Sequence, residues 1–186
     1  DANGRIIERK RLRRAAFATC LDNRQPLRII MEACGSAHYW ARRFAEHSHQ
    51  VKMMSPQFVA AYRKSDKNDS NDAEAICEAV GRPTMRFVPV KGIEQQDMQT
   101  LHQVREGMKQ ERNRVINRIR GLLSEYGIVI AKNVSNLHRL LPGILEAADN
   151  GLSVIARRVF NDMYDDLQVR EEQMASIEQS IRELGK

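Results

Sequence analysis

Asp66, Asp69 and Asp72 recur at three-residue intervals just after the basic pair Arg63-Lys64, at the head of an apolar-periodic stretch, AEAICEAV. Two readings of this acid cluster stand. Asn71 or Asp72 can cap the helix that follows, since Asx side chains accept the orphan N–H groups of a first turn. Asn71 with Glu74 even has the spacing of a capping box. Alternatively, carboxylates three residues apart share one helical face, where hard oxygen donors suit Mg²⁺ or Mn²⁺. A cap needs one acid and this stretch offers three.

Glu32 ends an apolar run, Leu27 to Met31. Open α/β sheets place ligands and reacting groups at such strand ends, and a buried carboxylate there needs a partner or a metal. The alternative is that the strand stops one residue early and leaves Glu32 in water. An acid at a strand tip together with an Asp-x-x-Asp turn resembles a polynucleotidyl-transfer site, in which two ions about 3.5 to 4 Å apart activate the attacking oxygen and stabilise the leaving one. Farther on, REGMKQERNRVINRIRGLL carries Arg105, Lys109, Arg112, Arg114, Arg118 and Arg120. Arg105, Lys109 and Arg112 fall at i, i+4 and i+7, a spacing that suits phosphate contacts. Glu106 and Glu111 support the competing view of a solvated helix surface.

The elements that must position these groups change in kind near Lys91. Before it, RIIERKRL reads as a strand, RRAAFATCLDN as a short helix, LRIIMEACGS as a strand broken at Gly35, AHYWARRFAEHSH as a helix and QVKMMSP as a strand stopped by Pro56. Alternating strands and helices imply an α/β sheet. From Ile93 to about Gly127, apolar residues recur at Leu101, Val104, Met108, Val115, Ile119, Leu122 and Tyr126. Pro142-Gly143 and Asn150-Gly151 break the next region. A second long helix then carries Ile155, Val159, Met163, Leu167, Met174, Ile177, Ile181 and Leu184. The spacing predicts an antiparallel coiled-coil hairpin and self-association through it. The expected organisation is residues 1–91 as an α/β domain and residues 92–186 as a helical arm.

The chain has 186 residues and a net charge of +6. Residues 1–50 hold 10 basic and 5 acidic side chains, whereas residues 152–186 hold 5 and 7, so a polyanion would meet the earlier part of the chain. No apolar run reaches the ~20 residues of a membrane span, and the basic start ERKRLRRAAFATC is too weakly apolar for a signal sequence. Cys20, Cys34 and Cys77 form no Cys-x-x-Cys pair, which fits a reducing cytoplasm and gives no zinc site. The five histidines form no recognisable ligand set, and His47 and His49 at a helix end are expected to be solvated. Aromatic stacking platforms for single strands are lacking.

IIMEACGSAHYWARRF, KNDSNDAEAICEA, RPTMRFVPVK and RNRVINRIRGLLSEYGI, in that order, resemble the DEDD-type insertion-sequence transposases related to the Piv and MooV DNA invertases. The resemblance runs through nearly the whole chain. It implies a RuvC-like (RNase H-like) domain in which four acids bind divalent metal, then a helical coiled coil and a further C-terminal domain. By motif, Glu32 takes the place of the family's Glu, and Asp69 and Asp72 take the places of its last two Asp residues in K-x-D-x-x-D-A, which begins at Lys67. Asp66 has no counterpart. The implied partners are double-stranded DNA, contacted by Lys67 and the basic residues from Arg105 to Arg120, and, in some members, an element-encoded structured RNA. The family's first Asp lies on a strand that this chain is expected to lack, and Asp1 is not that ligand. The domain carrying the attacking serine is expected to be missing too, so these 186 residues alone are expected to cleave no DNA.

Overall fold

The structure is a computed structural model that describes residues 7, 8, 10–62 and 69–185, with only the backbone of 69 and 70. The chain separates into two compact units, Asp1–Gly92 and Ile93–Lys186.

The first unit is a small sheet with helices on both faces. β1 (Arg28–Glu32) pairs in parallel with β2 (Gln50–Met54), in a register that sets Ile29 against Val51 and Glu32 against Met54. The crossover is α2 (Ala37–Glu46), which buries Ala37, Trp40, Ala41 and Phe44, a one-sided apolar stripe at helical spacing. β3 (Phe87–Val88) adds antiparallel to the other edge of β2. α1 (Arg14–Thr19) precedes the sheet, while α3 (Pro56–Ala60) and α4 (Asp69–Val80) follow β2. Pro56 does not only stop the strand. It opens α3, because its fixed φ and missing N–H suit a first helical position.

Alternation along the strands sorts the core into two layers. Met53, with Met31, Val51 and Val88 beside it, packs with Ala37 and Ala41 of α2. Met54 and Ile30 face the other way, against Val59 of α3 and Ala75, Ile76 and Ala79 of α4. Four of the buried helix residues are alanines, so the helix backbones approach the sheet closely and the flexible methionines fill the remaining gaps.

The second unit is helical. α5 (Ile93–Ser124), α6 (Val134–Glu146) and α7 (Val154–Leu184) share a core of Val115, Ile116, Ile119, Leu123, Leu137, Leu141, Phe160 and Leu167. Arg105 meets Glu178, Glu111 meets Arg170 and Tyr126 meets Phe160, so α5 and α7 run antiparallel. α5 ends where Gly127 adopts φ +74° and the Ile128 N–H reaches back to the Leu123 carbonyl at 3.1 Å, a left-handed cap that glycine takes without strain. The Asn133 and Ser153 side chains accept N–H groups at the starts of α6 and α7. No described helix is long and apolar enough to cross a membrane.

Several expectations are corrected. Ile7, Glu8 and Lys10–Leu12, the described part of RIIERKRL, form no strand. Ile7 is 82% exposed, because two apolar side chains scattered among charges make no face to bury. Pro142 lies inside α6 and does not break it. A proline forfeits one i→i−4 bond, and here fully buried Leu137 and Leu141 hold the helix together across that gap. Neither α6 nor the two-residue β3 has a clear sequence signal. At the start of α7 the expected apolar face is turned: Ile155 is 77% exposed, and Ala156 and Phe160 are buried instead. α6 packs on that side, so the seam there is set by three helices and not by a two-helix repeat. His49 is not solvated. It is 4% exposed, its Nδ1 accepts the Leu27 N–H at 3.2 Å, and its Nε2–H is thereby left to donate to the Leu21 carbonyl at 3.2 Å.

Candidate functional site

Glu32 is the last residue of β1, two positions after Ile30. Because strand side chains alternate, Glu32 shares the face of Ile30, the layer packed on α4. It is half-buried there. On α4, Ala75, Ile76 and Ala79 line the packed stripe. Counting back four residues from Ile76 sets Asp72 on that same stripe. Asp72 is half-buried. The acids at a strand end and at a helix start therefore belong to one layer of one unit, which neither spacing alone required.

The capping alternative changes in detail. α4 begins at Asp69, so Asn71 and Asp72 lie inside its first turn and neither is its cap. The capping position, 68, and Asp66 and Lys67 fall outside the described residues, as does the side chain of Asp69. Among the described residues no group of three or more His, Cys, Asp or Glu could hold a metal ion. What the described part offers is a pair of half-buried carboxylates on one layer, with oxygen donors of the kind that hard divalent ions take.

The basic residues of α5 divide into those engaged within the helical unit and those left outward. Arg105 donates through Nε to Glu178 at 2.9 Å. Arg120 donates to the Ala131 and Asn133 carbonyls at 3.0 and 2.6 Å, clamping the loop before α6. Half-buried Arg112 donates to Asn113 at 3.3 Å, and its Nε is buried without a partner among the described residues. Of the i, i+4, i+7 row, Arg105 is thus tied to α7, while Lys109 and Arg112 meet groups on α5 itself. Arg114 and Arg118, one turn apart, are exposed and form no ion pair or side-chain hydrogen bond among the described residues, where exposed Lys109 meets only Glu106, at 3.8 Å.

Sequence reasoning missed two residues that brace the sheet unit. His38 Nδ1 accepts the Lys91 N–H at 3.1 Å, and Arg42 donates to the Lys91 carbonyl at 2.7 Å. Burial, then the charges of Lys91 and Arg42, lowers the His38 pKa below the ordinary histidine value. Their i, i+4 spacing on one helix was the available signal, but a backbone partner about fifty residues away leaves no mark in sequence.

The α/β unit carries acids at a strand end and a helix start, the helical unit that follows carries basic residues along its first helix, and comparison with known proteins says to which family such a chain belongs. Residues 2–128 match the IS110-type DEDD family, described as "Transposase". Over 186 residues the chain is 39% identical to the transposase for insertion sequence element IS1111A of Coxiella burnetii, covering 100% of this chain and 51% of that protein. It is 39% identical over 183 residues to a "Probable family 20 transposase" of Pseudomonas aeruginosa, covering 98% of this chain and 54% of that protein. Against the transposase for insertion sequence element IS1328 of Yersinia enterocolitica it is 41% identical over 140 residues, 75% of this chain and 42% of that protein. The chain belongs to the IS110-type DEDD transposase family. It spans about half the length of these curated relatives. No solved structure matches it.

Proposed function

We propose that the chain provides the acid-bearing, RuvC-like catalytic part and a DNA-contacting helical arm of an insertion-sequence transposase that cleaves and transfers DNA strands. The observation that carries this reading is the shared layer of Glu32 and the α4 stripe that reaches Asp72. In it, Glu32, Asp69 and Asp72 hold Mg²⁺ or Mn²⁺. Divalent metal, when bound, lowers the cost of charge on the attacking and departing oxygens. The half-buried setting of Glu32 and Asp72 keeps the carboxylates less hydrated than surface acids, which strengthens their attraction for a cation. The sheet fixes Glu32 and the first turn of α4 fixes Asp72, so the ligand set is held by two regular elements rather than by loops.

Duplex DNA is contacted from α5, chiefly by Lys109, Arg114 and Arg118, and by Lys67, which precedes Asp69 and Asp72 in the sequence. Arg105 and Arg120 hold the helical unit together instead, because both are already bonded inside it. Exposed Leu122, Tyr126, Ile155 and Val159 support self-association through the helical unit. The test is strand cleavage at element ends by the full-length transposase in Mg²⁺. Glu32→Gln and Asp72→Asn should each lower the rate by at least about a hundredfold, the scale on which even outer-shell changes disturb a metal site, while DNA binding persists. Cleavage at the wild-type rate in either variant would end this reading.

A further inference from the structure

We infer that α1 and the segment leading into it form a second surface for the phosphodiester backbone of nucleic acid, carried by α2 on the sheet face opposite α4. The inference extends the nucleic-acid-binding reading above but uses none of the residues that reading names. Lys10, Arg11, Arg13 and Arg14 put four basic side chains into five consecutive positions, all exposed. Among the described residues, Glu8 pairs with Lys10 and lies 3.9 Å from Arg24. Like charges gathered so closely repel, and a six-residue helix is too short to persist unaided. The fold nonetheless fixes it in place.

Three contacts do so. The Phe17 ring stands edge-on to Trp40 at 4.8 Å and to Phe44 at 5.3 Å. Arg43 of α2 donates to the Ala18 carbonyl at 3.3 Å. Arg14 lies over the rings of Trp40 and Tyr39, 5.2 and 6.0 Å from their centroids. Packing of this kind holds the basic segment against α2 and leaves Arg11 and Arg13 outward, with no partner among the described residues. α2 packs on the layer of Met31 and Met53, whereas α4 packs on the layer of Ile30 and Met54, so the surface is distinct from the acid-bearing face of the same unit. A dense, pre-positioned and under-neutralised basic surface recognises a polyanion by counterion release, independent of base sequence.

The test uses the protein bound to labelled duplexes of DNA and of RNA, in Ca²⁺, over a range of salt. Arg11→Gln with Arg13→Gln, which removes no side-chain contact among the described residues, should reduce the slope of log affinity against log salt by about 1.8 on DNA, two phosphate contacts' worth. Between 50 and 200 mM salt, wild type should therefore lose roughly tenfold more affinity than the variant. The larger slope change, on DNA or on RNA, identifies which backbone the surface holds. A charge-matched control, Arg158→Gln with Arg182→Gln on α7, should leave the slope alone. An unchanged slope in the Arg11/Arg13 variant overturns this inference while a reduced slope in Arg114→Gln/Arg118→Gln still supports the α5 contact. Equal reductions from the α7 control and the Arg11/Arg13 variant also overturn it, because net charge alone would then explain binding. Failure of wild type to bind either duplex overturns both.

Discussion

The two units solve the same problem, closing a core, with different materials. The sheet unit packs mainly alanines, methionines and Val59 against its short strands, with Trp40 and Phe44 buried along α2, while the helical unit closes with leucine, isoleucine, valine and phenylalanine along helices of 32 and 31 residues. Their charges differ as well. In the helical unit many ionic groups are spent on one another, as in Arg105–Glu178 and the Arg170–Glu111–Asp166 network. In the sheet unit Glu32, at the end of β1, and Asp72, in the first turn of α4, fall on the layer of Ile30 and Met54. Large aliphatic cores make stable supports, and small-residue cores make close approaches. On the function proposed above, the difference is a division of labour: one unit positions carboxylates, the other provides reach and a charged surface.

The contrast is broken most strongly at the helical core. Leu141→Ala removes a fully buried side chain beside Pro142, where α6 already lacks one backbone bond. It should cost about 2–5 kcal/mol, read as an earlier loss of helical circular dichroism on heating. The opposite change tests the sheet unit. Ala79 is fully buried against Met54 and Val59, so Ala79→Leu should cost about 1–3 kcal/mol through overpacking. Trp40, the only tryptophan, reports unfolding of that unit by fluorescence. A silent Ala79→Leu would mean that close helix–sheet approach is not what holds α4 in place.

Smaller effects sharpen the picture. Because the folded unit lowers the His38 pKa, the unfolded chain binds its proton more readily. The stabilisation is complete above about pH 6.5, the unfolded histidine value, and is lost as pH falls from there through the lowered folded pKa. Denaturation midpoints followed by Trp40 should drop in that window, and His38→Gln, which keeps an acceptor for the Lys91 N–H, should flatten the drop. Smallest of all, Glu178→Gln in the partly exposed Arg105 pair should change stability by only about 0.2–1 kcal/mol, and less at high salt. A larger loss would make that pair a structural anchor rather than a surface contact.

Much of this was legible in the sequence where a pattern was local. β1, α2 and β2 follow from apolar runs and helical spacing, and the two long helices from an apolar repeat sustained over some thirty residues. The acids Glu32 and Asp72 were visible as types out of place, though only strand alternation and the α4 stripe put them in one layer. What failed was whatever depended on a third partner. α6 was hidden by Pro142, whose cost is met by burial that sequence does not display. The face of α7 near Ile155 turned because α6 claims Ala156 and Phe160. His49 looked like a surface residue until two backbone groups closed on its ring. The intramolecular partners of Arg105 and Arg120, a glutamate on α7 and two loop carbonyls, left no mark in the sequence, where a basic side chain reads the same whatever it meets.

The most direct test of the central claim, that Glu32 and the α4 acids form one metal site, is a Mn²⁺ titration of the protein followed by electron paramagnetic resonance of the free ion. Wild type should withdraw Mn²⁺ from solution, competed by Mg²⁺. Glu32→Gln and Asp72→Asn should each weaken that binding by at least about tenfold, and the double variant should be no more than slightly worse than either single one, as expected for residues that act as a unit. Undiminished Mn²⁺ binding in both single variants, with Trp40 fluorescence showing an intact fold, would contradict the account.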